Sequence, residues 1–218
     1  MFDRITPVVK NLLIANIAIH LLVQVLSSQM IFQNFAFFNP FLPNTDEFLN
    51  PNFKPWQPIT YMFLHGGIGH LFSNMFGLFI FGSALESYMG SKRFFIYYIL
   101  TGIGASLLNS GVNFFEMSTL VPDSELFWQQ AVTPMVGASG AIFGILIGFG
   151  FLFPNVEMML LFFPFPIKAK YFVTMYGLYE LFQGTAGLES GVAHFAHIGG
   201  LISGFILLKF FGFSKRFY

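Results

Sequence analysis

The sequence predicts an all-α, polytopic membrane protein with six membrane-crossing helices and both termini cytoplasmic. Three observations carry that expectation. Charged residues make up 9% of the 218 residues, hydrophobic residues 55%, and Phe alone fills 33 positions; a soluble domain carries about 25% charged residues. Apolar stretches of near-membrane length recur at about 8–27, 67–88, 93–113, 136–153, 169–186 and 193–211. The basic residues also segregate. With six crossings, Arg4, Lys10, Lys92, Arg93, Lys168, Lys170, Lys209, Lys215 and Arg216 fall on one side, and only Lys54 falls on the other. The positive-inside rule puts the basic side, and with it both ends, in the cytoplasm. A single membrane domain over residues 1–218 is expected, in a bacterial inner (plasma) membrane. There is no cysteine, which excludes disulfides and thiol chemistry. The zero net charge argues against a nucleic-acid partner.

The first stretch follows a short polar start. A basic start before an apolar run is also the pattern of a cleaved signal peptide. No small-x-small site follows at Ser27–Gln29 and more spans come later, so an uncleaved helix is expected. Gln29 to Leu64 holds Pro40, Pro43, Pro51, Pro55 and Pro58, which disfavour a continuous helix. It is also rich in Phe, which predicts an interfacial, partly inserted connection anchored by Trp56. The second span follows His65. A connection with Glu116, Asp123 and Glu125 separates the third span from the fourth. Pro154 to Pro166, with its run Phe162-Phe163-Pro164-Phe165-Pro166, predicts a turn before the fifth span. Several spans sit near the lower limit of the ~20 residues needed to cross a bilayer. Short helices that begin below the surface leave a water-filled depression, where irregular backbone is permitted.

The chemistry centres on Val136-Gly137-Ala138-Ser139-Gly140-Ala141-Ile142-Phe143-Gly144. Gly140, Gly144 and Gly148 repeat every four residues and line one helix face. A second ladder is Ala196, Gly200 and Gly204, with His197 beside it. Such ladders let membrane helices approach closely. A serine and a histidine, each near the first turn of such a helix, suggest a nucleophile and its base. Both fall within the outer leaflet in the predicted topology. His70 and Asn74 share that depth, lie four apart on one helical face, and can donate hydrogen bonds to an oxyanion. Four histidines, His65, His70, His194 and His197, could in principle bind zinc. There is no H-E-x-x-H, the spacing of His65 and His70 puts them on different faces, and Glu189 is the only carboxylate near in sequence. No metal and no cofactor are expected. His194 reads as an interfacial or loop residue, and His20 as structural. Glu180, an intramembrane acid, is a functional suspect by default. The sequence favours a structural role for it, and no acidic partner for His197 is evident. The imidazolium would then lack the stabilisation that a buried Asp gives in a triad.

At these residues the chain resembles the rhomboid intramembrane serine proteases. Gly137-Ala138-Ser139-Gly140 is similar to their G-x-S-G, and Ala196-His197-Ile198-Gly199-Gly200 to their base-bearing last helix. His65, His70 and Asn74 match the second-span pattern H-x(4)-H-x(3)-N, and Trp56 resembles the first-loop Trp-Arg. The resemblance implies a six-helix rhomboid core with Ser139 as nucleophile and His197 as base, working as a dyad. His70, Asn74 and the Ser139 backbone N–H would stabilise the oxyanion. Gly137, Ala138, Gly140, Phe143 and His65 would line the site. Residues 114–135 would include a cap over the site, and the fifth helix would border lateral access for substrate. The implied substrates are single-span membrane proteins in the lipid bilayer. Two departures stand out. Gln57 occupies the position of the Arg in Trp-Arg, and Phe143 that of a frequent Tyr. A phenyl ring can still stack on His197 but offers no hydroxyl. Two other classes remain open: a catalytically silent rhomboid-like factor that binds membrane proteins, and a small transporter. Retention of both Ser139 and His197 argues against the first. The lack of an inverted repeat argues against the second.

Overall fold

A computed structural model describes residues 5–122, 124–160, 163–186 and 193–213. Arg4, Asp123, Phe162, Glu189, Lys215 and Arg216 lie outside the described residues. Helix α1 (Pro7–Val25) opens on proline, where a missing N–H costs nothing. Glu86 satisfies the next two donors: its carboxylate accepts from the backbone N–H of Val8 (3.0 Å) and Val9 (2.9 Å). The acid also faces the positive end of the helix dipole. Helices α2 (Ser28–Phe35) and α3 (Gln57–Thr60) lie in the proline-rich connection. Helix α4 (Ile68–Met89) widens into a π turn at Leu78–Gly82. Helix α5 (Ser91–Thr119) runs past residue 113, where the apolar stretch ends. Helix α6 (Glu125–Val132) is capped by Ser124, whose Oγ accepts from the Phe127 N–H (3.3 Å). Helix α7 (Ser139–Leu152), helix α8 (Ala169–Ala186) and helix α9 (His194–Phe210) complete the described helices.

Two expectations need correction. The 154–166 turn holds an antiparallel pair, β1 (Glu157–Leu160) and β2 (Phe163–Lys168), with Glu157 opposite Lys168. The fold is therefore mostly, not wholly, helical. Pro164 and Pro166 forbid a helix there and are tolerated on a two-stranded ribbon with open edges. The fourth helix begins at Ser139 rather than 136, because Gly137 has φ 122° and leaves helical backbone.

Helix α7 sits at the centre, with 11 of its 14 residues buried. Its glycines explain how. A Cβ on Gly200 of α9 would fall 1.9 Å from the Gly140 carbonyl oxygen, and one on Gly204 would fall 2.8 Å from Gly144 Cα. On the opposite flank, a Cβ on Gly144 would meet Thr101 of α5 at 2.6 Å. The two small-residue ladders thus meet each other, and α5 closes over them. Gly148 turns elsewhere, toward Leu85 of α4. Tyr97 Oη bonds the Gly144 carbonyl at 2.5 Å and ties α5 to α7. Around this core, α1, α4 and α5 are long and apolar enough to cross a membrane; α7 and α9 are shorter apolar helices. At ~1.5 Å per residue, 14 residues cover about 21 Å of a ~30 Å hydrocarbon layer. Large apolar side chains such as Leu21, Phe72, Leu107, Leu178 and Phe210 point outward. In water such a surface would associate; in lipid it is the matched solvent.

The proline-rich connection is tied into the bundle. Phe37, Phe38 and Leu42 are buried, while Phe41, Phe48 and Trp56 are exposed. Phe37 and Met135 exchange backbone hydrogen bonds of 3.0 and 2.8 Å, just before Ser139. Gln57 is fully buried. Its amide donates to Asn52 O (2.9 Å) and accepts from the Phe38 N–H (3.3 Å). A neutral amide with both donor and acceptor suits this position, where it pins the connection to itself.

Candidate active site

Ser139 is the first residue of α7, so its N–H and the next two have no acceptor within the helix, while the Ile142 N–H already donates to the Ala138 carbonyl (3.0 Å). The segment leading to it is fixed by Gly137, whose N–H donates to Tyr61 O (3.0 Å). Glycine is required there on two counts. The backbone is left-handed, and a Cβ would lie 2.6 Å from His70 Nε2. The close approach of α9 at Gly200 then brings His197 against Ser139. Ser139 Oγ and His197 Nε2 are 2.8 Å apart. The His197 ring is buried and stacked on Phe143, with centroids 4.3 Å apart and planes within 9°. Phe143 rests in turn on Tyr176, at 4.9 Å. The phenyl ring that stands in for Tyr thus keeps the stacking contact.

Behind His197 stands Glu180 of α8. Its Oε2 lies 2.8 Å from His197 Nδ1 and 2.7 Å from His194 Nδ1. Glu180 as a whole is 3% exposed. This overturns the reading that His197 has no acidic partner, and His194 is a buried neighbour of the site rather than a loop residue. The contact was hidden because Glu180 is 17 residues from His197 and on another helix. A signal existed: in the topology expected from the sequence, Glu180 falls in the outer part of its span, at the depth expected for His197 and Ser139.

His70 and Asn74 border the same cavity, of ≈ 1120 Å³, as do Gly137, Ser139, Gly140, Phe143 and Tyr176. Asn74 Nδ2 donates to the His70 carbonyl (2.8 Å), which leaves its second amide hydrogen available. Two expected lining residues do not border this cavity. Ala138 is fully buried in the main core, beneath the start of α7. His65 is buried and packs its ring edge against His70, centroids 5.1 Å apart. It borders a smaller cavity, of ≈ 410 Å³, with Gln24 and Gln29. Burial first, then the neighbouring His70 and His20, push the His65 imidazole down to about 4, so it stands neutral.

The four histidines divide in two. His65 contacts His70, while His194 and His197 share Glu180. Glu180, His194 and His197 each offer one ligand atom, all within 4.8 Å of one another. Zinc needs donors at about 2.0–2.2 Å from the ion. Here both imidazoles address a single carboxylate oxygen at hydrogen-bond distance, so an ion could enter only by displacing those bonds.

A serine at a helix N-terminus, bonded to an imidazole that is bonded to an acid, marks a membrane-embedded helical protein with a hydrolase-like constellation. Residues 52–213 match the Rhomboid domain, and the chain belongs to the rhomboid family. It is an integral membrane protein. It is 35% identical over 156 residues to RHOMBOID-like protein 6, mitochondrial, of Arabidopsis thaliana, covering 71% of this chain and 43% of that protein. It is 34% identical over 166 residues to Rhomboid protease AarA of Providencia stuartii, covering 70% of this chain and 54% of that protein. It is 31% identical over 176 residues to Rhomboid-like protein 11, chloroplastic, of Arabidopsis thaliana, covering 74% and 54%. The chain thus spans about half the length of these relatives or less. Their names are mitochondrial and chloroplastic as well as bacterial, so the family does not select a bacterial inner membrane.

Proposed function

We propose that this protein is an intramembrane serine endopeptidase that cuts single-span membrane proteins in or near the spanning segment. The observation that carries this reading is the 2.8 Å contact between Ser139 Oγ and His197 Nε2, beside a cavity at a helix N-terminus. Membership in a family that includes a named protease supports it. The chemistry follows from the contact. Ser139 Oγ attacks the scissile carbonyl carbon while its proton passes to His197 Nε2. The oxyanion is met by the Ser139 N–H, His70 and Asn74. Collapse breaks the C–N bond, and the departing amine takes the proton from His197. Water then attacks the acyl-serine, gives its proton to His197, and the second product leaves as Ser139 is reprotonated.

The same reading includes six crossings with both termini cytoplasmic, which opens the cavity toward the outer face. The basic residues Lys92, Arg93, Lys168, Lys170 and Lys209 support it, since they sit at the opposite ends of α5, α8 and α9 from the site. The test is incubation of the purified chain with a panel of single-span proteins, alongside Ser139→Ala and His197→Ala. Each substitution is expected to abolish cleavage and leave the helical content intact. A fluorophosphonate probe should label the unaltered chain and not Ser139→Ala. Orientation is checked in cells: a cysteine at Asp46 should react with an impermeant thiol reagent from outside, and one at Lys92 should not. Cleavage that survives both substitutions would move the nucleophile and base elsewhere.

A further inference from the structure

Glu180 is the only acid in α8, and none of the steps above uses it. Its environment is specific. An ionised carboxylate has only acceptors to offer. Contacts of 2.8 and 2.7 Å to His197 Nδ1 and His194 Nδ1 therefore each need a proton on the imidazole side. A neutral His197 with its proton on Nδ1 has its lone pair on Nε2, which faces Ser139 Oγ at 2.8 Å. The other tautomer would set two lone pairs against each other at Glu180 and an N–H against the serine hydroxyl.

We propose that Glu180 is a positioning residue of the hydrolytic site. It holds His197 in the tautomer that can accept the serine proton, fixes the ring together with Phe143, and stabilises the imidazolium formed during attack. His194 steadies Glu180 by donating to the same oxygen. The carboxylate does not take the proton, which stays on His197 Nδ1 throughout. The inference rests on the protease reading and deepens it: the site works through a Ser139–His197–Glu180 line rather than through Ser139 and His197 alone. Burial favours this over simple helix tethering. A carboxylate within a membrane helix is costly wherever it lacks partners. A tether between α8 and α9 could use any neutral hydrogen-bonding pair. Here a single oxygen instead meets both imidazoles, one of which touches the nucleophile.

The experiment compares the unaltered chain, Glu180→Gln and Glu180→Ala in cleavage of one single-span substrate. It also measures the rate of fluorophosphonate labelling at Ser139 and the thermal midpoint of each protein. Glutamine keeps the volume, and its one carbonyl oxygen can still accept from both imidazoles, but it carries no negative charge to stabilise the imidazolium. For Glu180→Gln, kcat should fall by at least ~100-fold with KM within about threefold, since imidazolium stabilisation is a transition-state effect. The isosteric amide at the acid of a soluble triad costs about 10⁴ in kcat; the Phe143 stack keeps the ring in place here and limits the loss. Labelling should slow in parallel, and added acetate should restore part of the rate to Glu180→Ala. The inference falls if Glu180→Gln turns over normally while Ser139→Ala is dead. It falls equally if activity drops only as the folded fraction drops and acetate restores nothing. In either case Ser139 and His197 stand as a dyad. It also falls if a chelator abolishes turnover by the unaltered chain and zinc restores it, for then Glu180, His194 and His197 hold an ion. An unaltered chain that neither cleaves nor labels overturns the protease reading as well.

Discussion

At the scale of the residue, the proposed protease reading separates groups that react from groups that receive charge. His70 reaches Gly137 from one side, and Asn74 carries one amide hydrogen that its bond to the His70 carbonyl does not use. Both border the cavity that holds Ser139. A donor to an oxyanion acts mainly on the transition state, so its loss should lower kcat more than it raises KM. His70→Ala and Asn74→Ala are each expected to cost up to ~2.7–4 kcal/mol in the barrier, the scale of one oxyanion donor in a soluble protease. Steady-state kinetics on a single-span substrate decides. A rise in KM with kcat unchanged would make them binding groups. These residues could be read from the sequence because the spacing of four puts His70 and Asn74 on one face, and glycines mark Ser139. Glu180 could not be read in the same way. Its meaning depends on Nδ1 atoms carried by another helix, and nothing in its own span names them.

At the scale of the element, the site exists because α7 and α9 approach more closely than side chains allow. The periodicity of Gly140 and Gly144 against Ala196, Gly200 and Gly204 made that contact legible, since four-residue spacing fixes a face. The start of α7 was not legible. Glycine accepts helical and left-handed backbone alike, so only the surroundings of Gly137 decide that the helix waits until Ser139. The pairing of β1 with β2 was equally hidden, because proline excludes helix without choosing what replaces it. Gly200→Ala tests the contact itself. Its Cβ would fall 1.9 Å from the Gly140 carbonyl oxygen, so α9 must shift away from α7. Overpacking of this kind costs typically ~1–3 kcal/mol. The variant should therefore show a lower thermal midpoint in detergent. It should also lose most cleavage, because the same shift opens the Ser139–His197 hydrogen bond. Full activity would mean that the dyad geometry does not depend on this crossing.

At the scale of the whole molecule, the proposed protease reading raises the question of how a membrane helix meets a serine set within the bundle. The cavity lies at the N-terminus of α7, and the exposed apolar surfaces of α4 and α8 lead toward lipid. A spanning substrate has its scissile carbonyl bonded within its own helix. It must unwind locally before Ser139 can attack. Helix breakers near the outer end of the substrate lower that cost, by roughly 1 kcal/mol for Gly and about 3 for Pro relative to Ala. Gly137 and Gly140 flank Ser139 and add no side-chain bulk, which suits a small residue next to the scissile bond. The expected substrates are therefore single-span proteins cut near their outer membrane boundary, with a small residue at the site and Gly or Pro just beyond. The test replaces those breakers with Leu in a cleaved substrate and measures cleavage in bilayers. If unwinding limits the reaction, ~3 kcal/mol restored to the helix at a proline position should slow cleavage by about two orders of magnitude, and a glycine position by roughly fivefold. The graded order matters more than either figure, because it separates unwinding from recognition of the side chain. Equal rates across several substrates would show that Ser139 selects its bond by some other property of the chain.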